Sequence, residues 1–85
     1  MMHGGFISLL LDEVSSKVLA AMGKQGVTRD LKVSFEKPVS LSSRIHLFAE
    51  LVEHKGRKHF INAKIMNADK EILARSEALF LVFGE

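Results

Sequence analysis

The feature that most constrains this chain is a single change of hydrophobic period. From Phe6 to Met22 the apolar positions Ile7, Leu10, Leu11, Val14, Val18, Ala21 and Met22 recur at helical spacing. After a loop at Lys24–Gly26 the period drops to two. Leu31, Val33 and Phe35 alternate with Lys32, Ser34 and Glu36 until Pro38 ends the run. Ile45, Leu47, Ala49 and Leu51 form a second alternating run, and Lys55-Gly56-Arg57 reads as a hairpin turn. A third strand, about His59 to Asn67, leads to a turn at Asn67-Ala68-Asp69-Lys70. The last strand, about Ile72 to Phe83, closes in a continuous apolar run suited to a strand covered on both faces. One helix followed by four strands predicts an α+β domain in which an antiparallel sheet wraps a central helix.

The helix is apolar beyond its stripe, because Phe6, Leu9, Leu19 and Ala20 lie outside it; burial on several sides is the expectation. Its polar strip holds Ser8, Asp12, Ser15 and Ser16, and Gly23 is a suitable C-terminal stop. The 85 residues allow one domain, spanning 1–85, yet 47% of them are hydrophobic. A domain of this size buries only about 60–65% of the surface its unfolded chain exposes. The excess apolar surface is most easily used against another subunit. There is no cysteine, hence no disulfide framework, thiolate metal site or cysteine nucleophile. With 12 basic and 10 acidic residues the chain lacks the basic stripe that nucleic-acid binders need. Met1–Leu11 has no Lys/Arg-rich start and runs into Asp12 and Glu13, unlike a signal peptide; Ala78–Phe83 is too short to span a bilayer. A cytoplasmic protein with no membrane partner is expected.

Two features bear on chemistry. Gly4 and Gly5 open the helix, where first-turn N–H groups lack intrahelical partners and the positive end of the helix dipole lies behind them. The pair either permits a tight turn into the helix or lets a polarised carbonyl approach the backbone. Asp12 stands in an otherwise apolar helix. It is either a seam acid satisfied by Ser8, Ser15 or Ser16, or a carboxylate facing a cleft. Glu13 lies elsewhere on the helix, four residues before Lys17, as a solvated partner. His46, His54 and His59 lack metal-ligand spacing and read as surface histidines. The basic run Lys55-Gly56-Arg57-Lys58 is either a solvated hairpin tip or a contact for phosphate. Ser15 and Ser16 have no triad partners.

The order His3-Gly4-Gly5, Leu10-Leu11-Asp12-Glu13, then Val27-Thr28 before a strand ending Phe35-Glu36-Lys37-Pro38-Val39, resembles hotdog-fold acyl-CoA thioesterases of the phenylacetate-pathway (PaaI) type. The Gly56-Arg57 turn and the strand from Ala74 to Phe83 extend the resemblance over nearly the whole chain. It implies hydrolysis of an acyl-CoA thioester without cofactor or metal, by a homodimer or homotetramer whose sites are shared between chains. It implies that the Gly4 N–H polarises the carbonyl, and that Asp12 acts as general base or as attacking carboxylate. Thr28 would place the water or the carboxylate. His3 and Gly5 would support the substrate, with Arg57 and Lys58 toward the CoA phosphates. Relatives of this type carry a strand and an Asn- or Gln-bearing loop before the His-Gly-Gly, whereas the sequence here opens two residues before His3. The resemblance therefore implies about four strands, with Arg44–Glu53 at an uncovered edge. The alternative is a catalytically silent hotdog module that binds acyl-thioesters or serves assembly. A hotdog dehydratase is disfavoured, because no helix-borne Asp/His pair suits removal of water.

Overall fold

A computed structural model describes residues 4–38 and 44–83, so His3 lies outside the described residues. Helix α1 spans Gly4–Ala21, followed by β1 Gln25–Phe35, β2 Ile45–Lys55, β3 Lys58–Asn67 and β4 Ile72–Phe83. The strands form one antiparallel sheet in the order β1-β4-β3-β2, with α1 packed across one face. This is the expected helix-and-sheet arrangement, and β2 is the predicted edge.

The helix ends where the sequence indicates, for a geometric reason. Gly23 takes φ +74° and donates to the Ala20 carbonyl, while Lys24 N–H donates to Leu19 O. That pair of bonds satisfies carbonyls the helix itself leaves open. β1 begins at Gln25, earlier than the alternation suggests, because Gln25 and Gly26 pair with Phe83 and Val82 of β4. A side chain at position 26 is disfavoured, since its Cβ would sit 2.8 Å from the Leu81 carbonyl oxygen. Gly56, with φ +58°, occupies the first position of the two-residue β2–β3 loop, a conformation that suits glycine.

The helix lies close to the sheet because small side chains line up beneath it. Ala49, Ala63 and Ser76 are in register across β2, β3 and β4. One core cluster gathers Ile7, Leu11, Ile65, Leu73 and Ala74; the other gathers Leu19, Ile61, Ala78, Phe80 and Val82. The sheet-facing stripe is therefore Ile7, Leu11, Ser15 and Leu19, a rotation of the stripe read from the sequence. Ser15, placed by that reading on the polar strip, is fully buried. It is tolerated there because its Oγ donates to the Leu11 carbonyl at 2.8 Å, one turn back. Burial on several sides is not met within one chain: Phe6 and Leu9 are 48% and 55% exposed, on the side away from the sheet. His59 is fully buried rather than at the surface. It shares the inward alternation of Ile61, Ala63 and Ile65, a signal already present in the sequence. Its Nδ1 donates to Arg57 O at 3.2 Å, Lys24 Nζ lies 3.1 Å from Nε2, and the His54 ring stacks at 5.2 Å.

Candidate active site

At about 100° per residue, Asp12 and Ser8 fall on one flank of the sheet-facing stripe, and Leu10 and Val14 on the other. The first flank faces β1. There the Thr28 hydroxyl donates to Asp12 Oδ1 at 2.9 Å, joining helix to strand across sixteen positions of sequence. Thr28 pairs with Phe80, whose side chain is buried beneath the helix, so the hydroxyl also points to the helix side. A β-bulge between Thr28 and Asp30 then returns Leu31 and Val33 to that side. Asp12 is half-buried, and Ser16 Oγ donates to its backbone carbonyl rather than to its carboxylate. Ser15 and Ser16, two of the three serines considered as partners for Asp12, bond to helix carbonyls, and the Thr28 hydroxyl meets the carboxylate from the strand. The Thr28 hydroxyl engages Oδ1 and leaves the second carboxylate oxygen, Oδ2, outside that bond.

Gly4 is the first residue of α1, and Gly5 lies in the same turn. The Gly4 N–H precedes any intrahelical acceptor, so it can donate to an incoming oxygen. Asp12 follows eight residues later, roughly 12 Å along the axis at about 1.5 Å per residue. One helix therefore does not bring these two groups onto one atom. Arg57 and Lys58 are exposed at the β2–β3 turn. Lys58 pairs with Leu81, which pairs with Val27, so the turn stands near the level of Thr28 but two strands away, roughly 10 Å. Among the described residues no cluster of three His, Cys, Asp or Glu is placed to hold a metal ion, and no helix is long and apolar enough to cross a membrane.

These features sit in a recognisable lineage. A model of the thioesterase superfamily matches residues 1–74, and the chain belongs to that superfamily, with the hotdog fold. It is 30% identical over 80 residues to the acyl-coenzyme A thioesterase THEM4 of Mus musculus, covering 93% of this chain and 34% of that protein. The chain thus spans about a third of the length of that relative. A hypothetical thioesterase protein of Streptococcus pneumoniae, solved with coenzyme A, superposes with a TM-score of 0.93 at 23% identity, over 98% of this chain and 67% of that one. A Streptococcus mutans protein bound to acetyl CoA gives 0.92 at 23% identity, over 98% and 67%. Two further structures of the Streptococcus pneumoniae protein carry alanine in place of an aspartate and of a threonine that stand sixteen positions apart. Asp12 and Thr28 have the same separation.

Proposed function

We propose that this chain hydrolyses an acyl-CoA, or a related pantetheine thioester, to the free acid and the thiol. The observation that carries the reading is the Thr28–Asp12 hydrogen bond, which fixes a half-buried carboxylate on the β1 flank of the helix. Acting as general base, Asp12 takes a proton from water as the water oxygen bonds to the thioester carbon. Acting as nucleophile, Oδ2 bonds to that carbon itself and water later cleaves the anhydride. In either route the Gly4 N–H holds the oxyanion, the C–S bond breaks, and the thiolate is protonated on leaving. Thr28 holds the carboxylate in position, and Gly5, with His3 by the family resemblance, serves substrate binding. Arg57 and Lys58 supply cationic donors to the CoA phosphates. Coenzyme A and acetyl CoA in the streptococcal structures, the THEM4 relative and the matched aspartate–threonine spacing support this reading.

The working unit is a homodimer at the least, with each site shared. The attacking group and the carbonyl must come within about 3–3.5 Å, and Gly4 and Asp12 of one helix are too far apart to serve one carbonyl. Two antiparallel helices about a two-fold axis set Gly4 of one chain opposite Asp12 of the other, twice. The exposed Phe6 and Leu9 on the outer side of the helix give such a pairing apolar surface to cover. The same reading places the enzyme in the cytoplasm, where a cysteine-free chain needs no oxidising compartment.

The test is complementation. Gly4→Pro removes the donor and Asp12→Asn removes the base. Each variant alone is expected to be inactive toward a panel of acyl-CoAs. Mixed dimers, with folding verified by circular dichroism, regain turnover because one of their two sites is intact. Verified heterodimers that stay inactive would sink the shared site. Absence of turnover by the wild type across the panel would instead identify a silent acyl-thioester module.

A further inference from the structure

The buried imidazole of His59 takes no part in the chemistry above, yet both of its ring nitrogens are engaged. The Arg57 carbonyl can only accept a hydrogen bond, and the Lys24 ammonium can only donate one. Nδ1 therefore carries the proton and donates to Arg57 O at 3.2 Å, while Nε2 accepts from Lys24 Nζ at 3.1 Å. The ring thus links the loop after α1 to the β2–β3 turn. Arg57 O also accepts from the Val82 N–H at 2.8 Å. Both lone pairs of that carbonyl are then in use, and the turn is held from β4 and from the imidazole at once. The ring of His54, which faces His59 across the hairpin, stacks on it at 5.2 Å.

That turn carries charges that oppose its closure. Lys55, Arg57 and Lys58 put three cations into four residues, and Lys55 faces Lys58 in the rung that closes the hairpin. Like charges directly opposite disfavour a strand pair. Glu53, 3.6 Å from Lys55 and well exposed, offsets little of this. A bound polyanion relieves the repulsion, and a turn already held in shape loses less freedom when it binds one. We infer that His59 is a positioning residue: it holds the cationic β2–β3 turn in the shape that receives the phosphates of coenzyme A, and so favours the nucleotide-bearing thiol over bare pantetheine. The inference rests on the assignment of Arg57 and Lys58 to those phosphates. His59 does not serve the reacting atoms. Phe80 stands between it and Thr28 in one register row, which sets the ring two strands, roughly 10 Å, from Thr28.

Calorimetric titration of the full chain with coenzyme A and with pantetheine tests the inference without needing turnover. The wild type is expected to bind coenzyme A more tightly than pantetheine. His59→Leu, close to the imidazole in size, should weaken coenzyme A about threefold to tenfold and leave pantetheine within about twofold. His59→Gln, whose amide can donate to Arg57 O and accept from Lys24, should recover much of that loss. With an acyl-CoA substrate the loss is expected in KM and not in kcat. Equal losses for both ligands overturn the inference, because a ring that merely supports the core acts on both. So does unchanged coenzyme A affinity in His59→Leu. Arg57→Gln separates that failure from failure of the underlying reading: if it too leaves coenzyme A binding unchanged, the turn does not meet the phosphates and both fall. The expected binding pattern without any turnover would sink hydrolysis and support the inference. If circular dichroism shows His59→Leu misfolded, His59→Phe, which keeps a flat ring against His54, takes its place. Misfolding of both would make the imidazole a requirement of the core and overturn the positioning role.

Discussion

The two flanks of α1 share one backbone and differ in what they face. Toward β2, Val14 and Val18 join the core clusters along with Ile45, Ala49 and Leu51. Toward β1, Asp12 meets a strand that presents a hydroxyl at Thr28. One flank is packed for stability; the other holds an ionisable group half out of water, which costs stability unless the group is bonded. If Asp12 carries the proposed chemistry, a fold of this size places it at the seam beside the core, not within it. Activity and stability should then separate by position.

The largest expected effect is on the β1 flank. Asp12→Asn keeps shape and hydrogen-bonding capacity but deletes basicity and nucleophilicity. Thioester turnover should fall by about 10²–10⁴ with the unfolding transition unchanged. Turnover at the wild-type rate would remove Asp12 from the mechanism. The opposite dissociation is expected at the centre of the packed stripe. Leu11 is fully buried, and Leu11→Ala should lower unfolding free energy by about 2–5 kcal/mol in urea titrations. A cost below about 1 kcal/mol would mean that the helix is not held by this stripe.

Thr28→Val tests the link between strand and carboxylate. Loss of a hydrogen bond to a charged group, about 1.5–3 kcal/mol, predicts a fall in kcat of roughly tenfold to hundredfold. KM should change less, since Thr28 orients Asp12 and not the substrate. A pure KM effect would place the hydroxyl on the substrate instead.

Smaller effects lie away from the helix flanks. Ser76 Oγ is buried without a hydrogen-bond partner among the described residues. Ser76→Ala should therefore raise stability by about 1 kcal/mol, and a loss would reveal a partner for the hydroxyl. At the far end of the sheet, hydrogen bonds from Lys37 and then Asn67, with the Lys37 charge, hold the Glu71 carboxyl below its ordinary value. A depressed folded value stabilises the fold above the unfolded value, and the contribution is lost as pH falls through the folded one. The wild type should thus show a small extra loss of stability on acidification below about pH 4.5, the ordinary carboxyl value. Lys37→Ala should flatten it. Identical acid profiles for the two proteins would show that the clamp is without effect on folding.

Much of this was legible in the chain because local physics is periodic. The shift from helical to alternating spacing located every element, and Gly23 and Gly56 marked a stop and a turn that left-handed backbone requires. Asp12 stood out as an acid among apolar neighbours. The exact rotation of the helix was not legible. Leu19 faces the sheet in a cluster with Ile61, Ala78, Phe80 and Val82, and Ser15 is buried beside it on the same stripe; that surface forms only when the strands align. Ser15 reads as polar in sequence, yet it bonds within its own helix and is buried.

What the sequence determined by itself is therefore the set of elements and the chemical types available to them. Covalent geometry and burial act over a few residues at a time, and those are written in order. Only tertiary structure decided that Thr28 holds Asp12, since a hydrogen bond needs two oxygens 2.9 Å apart and sixteen positions of chain say nothing about that distance. Tertiary structure alone likewise assembled the small row Ala49, Ala63 and Ser76. Its members come from three different strands, and strand register places them side by side.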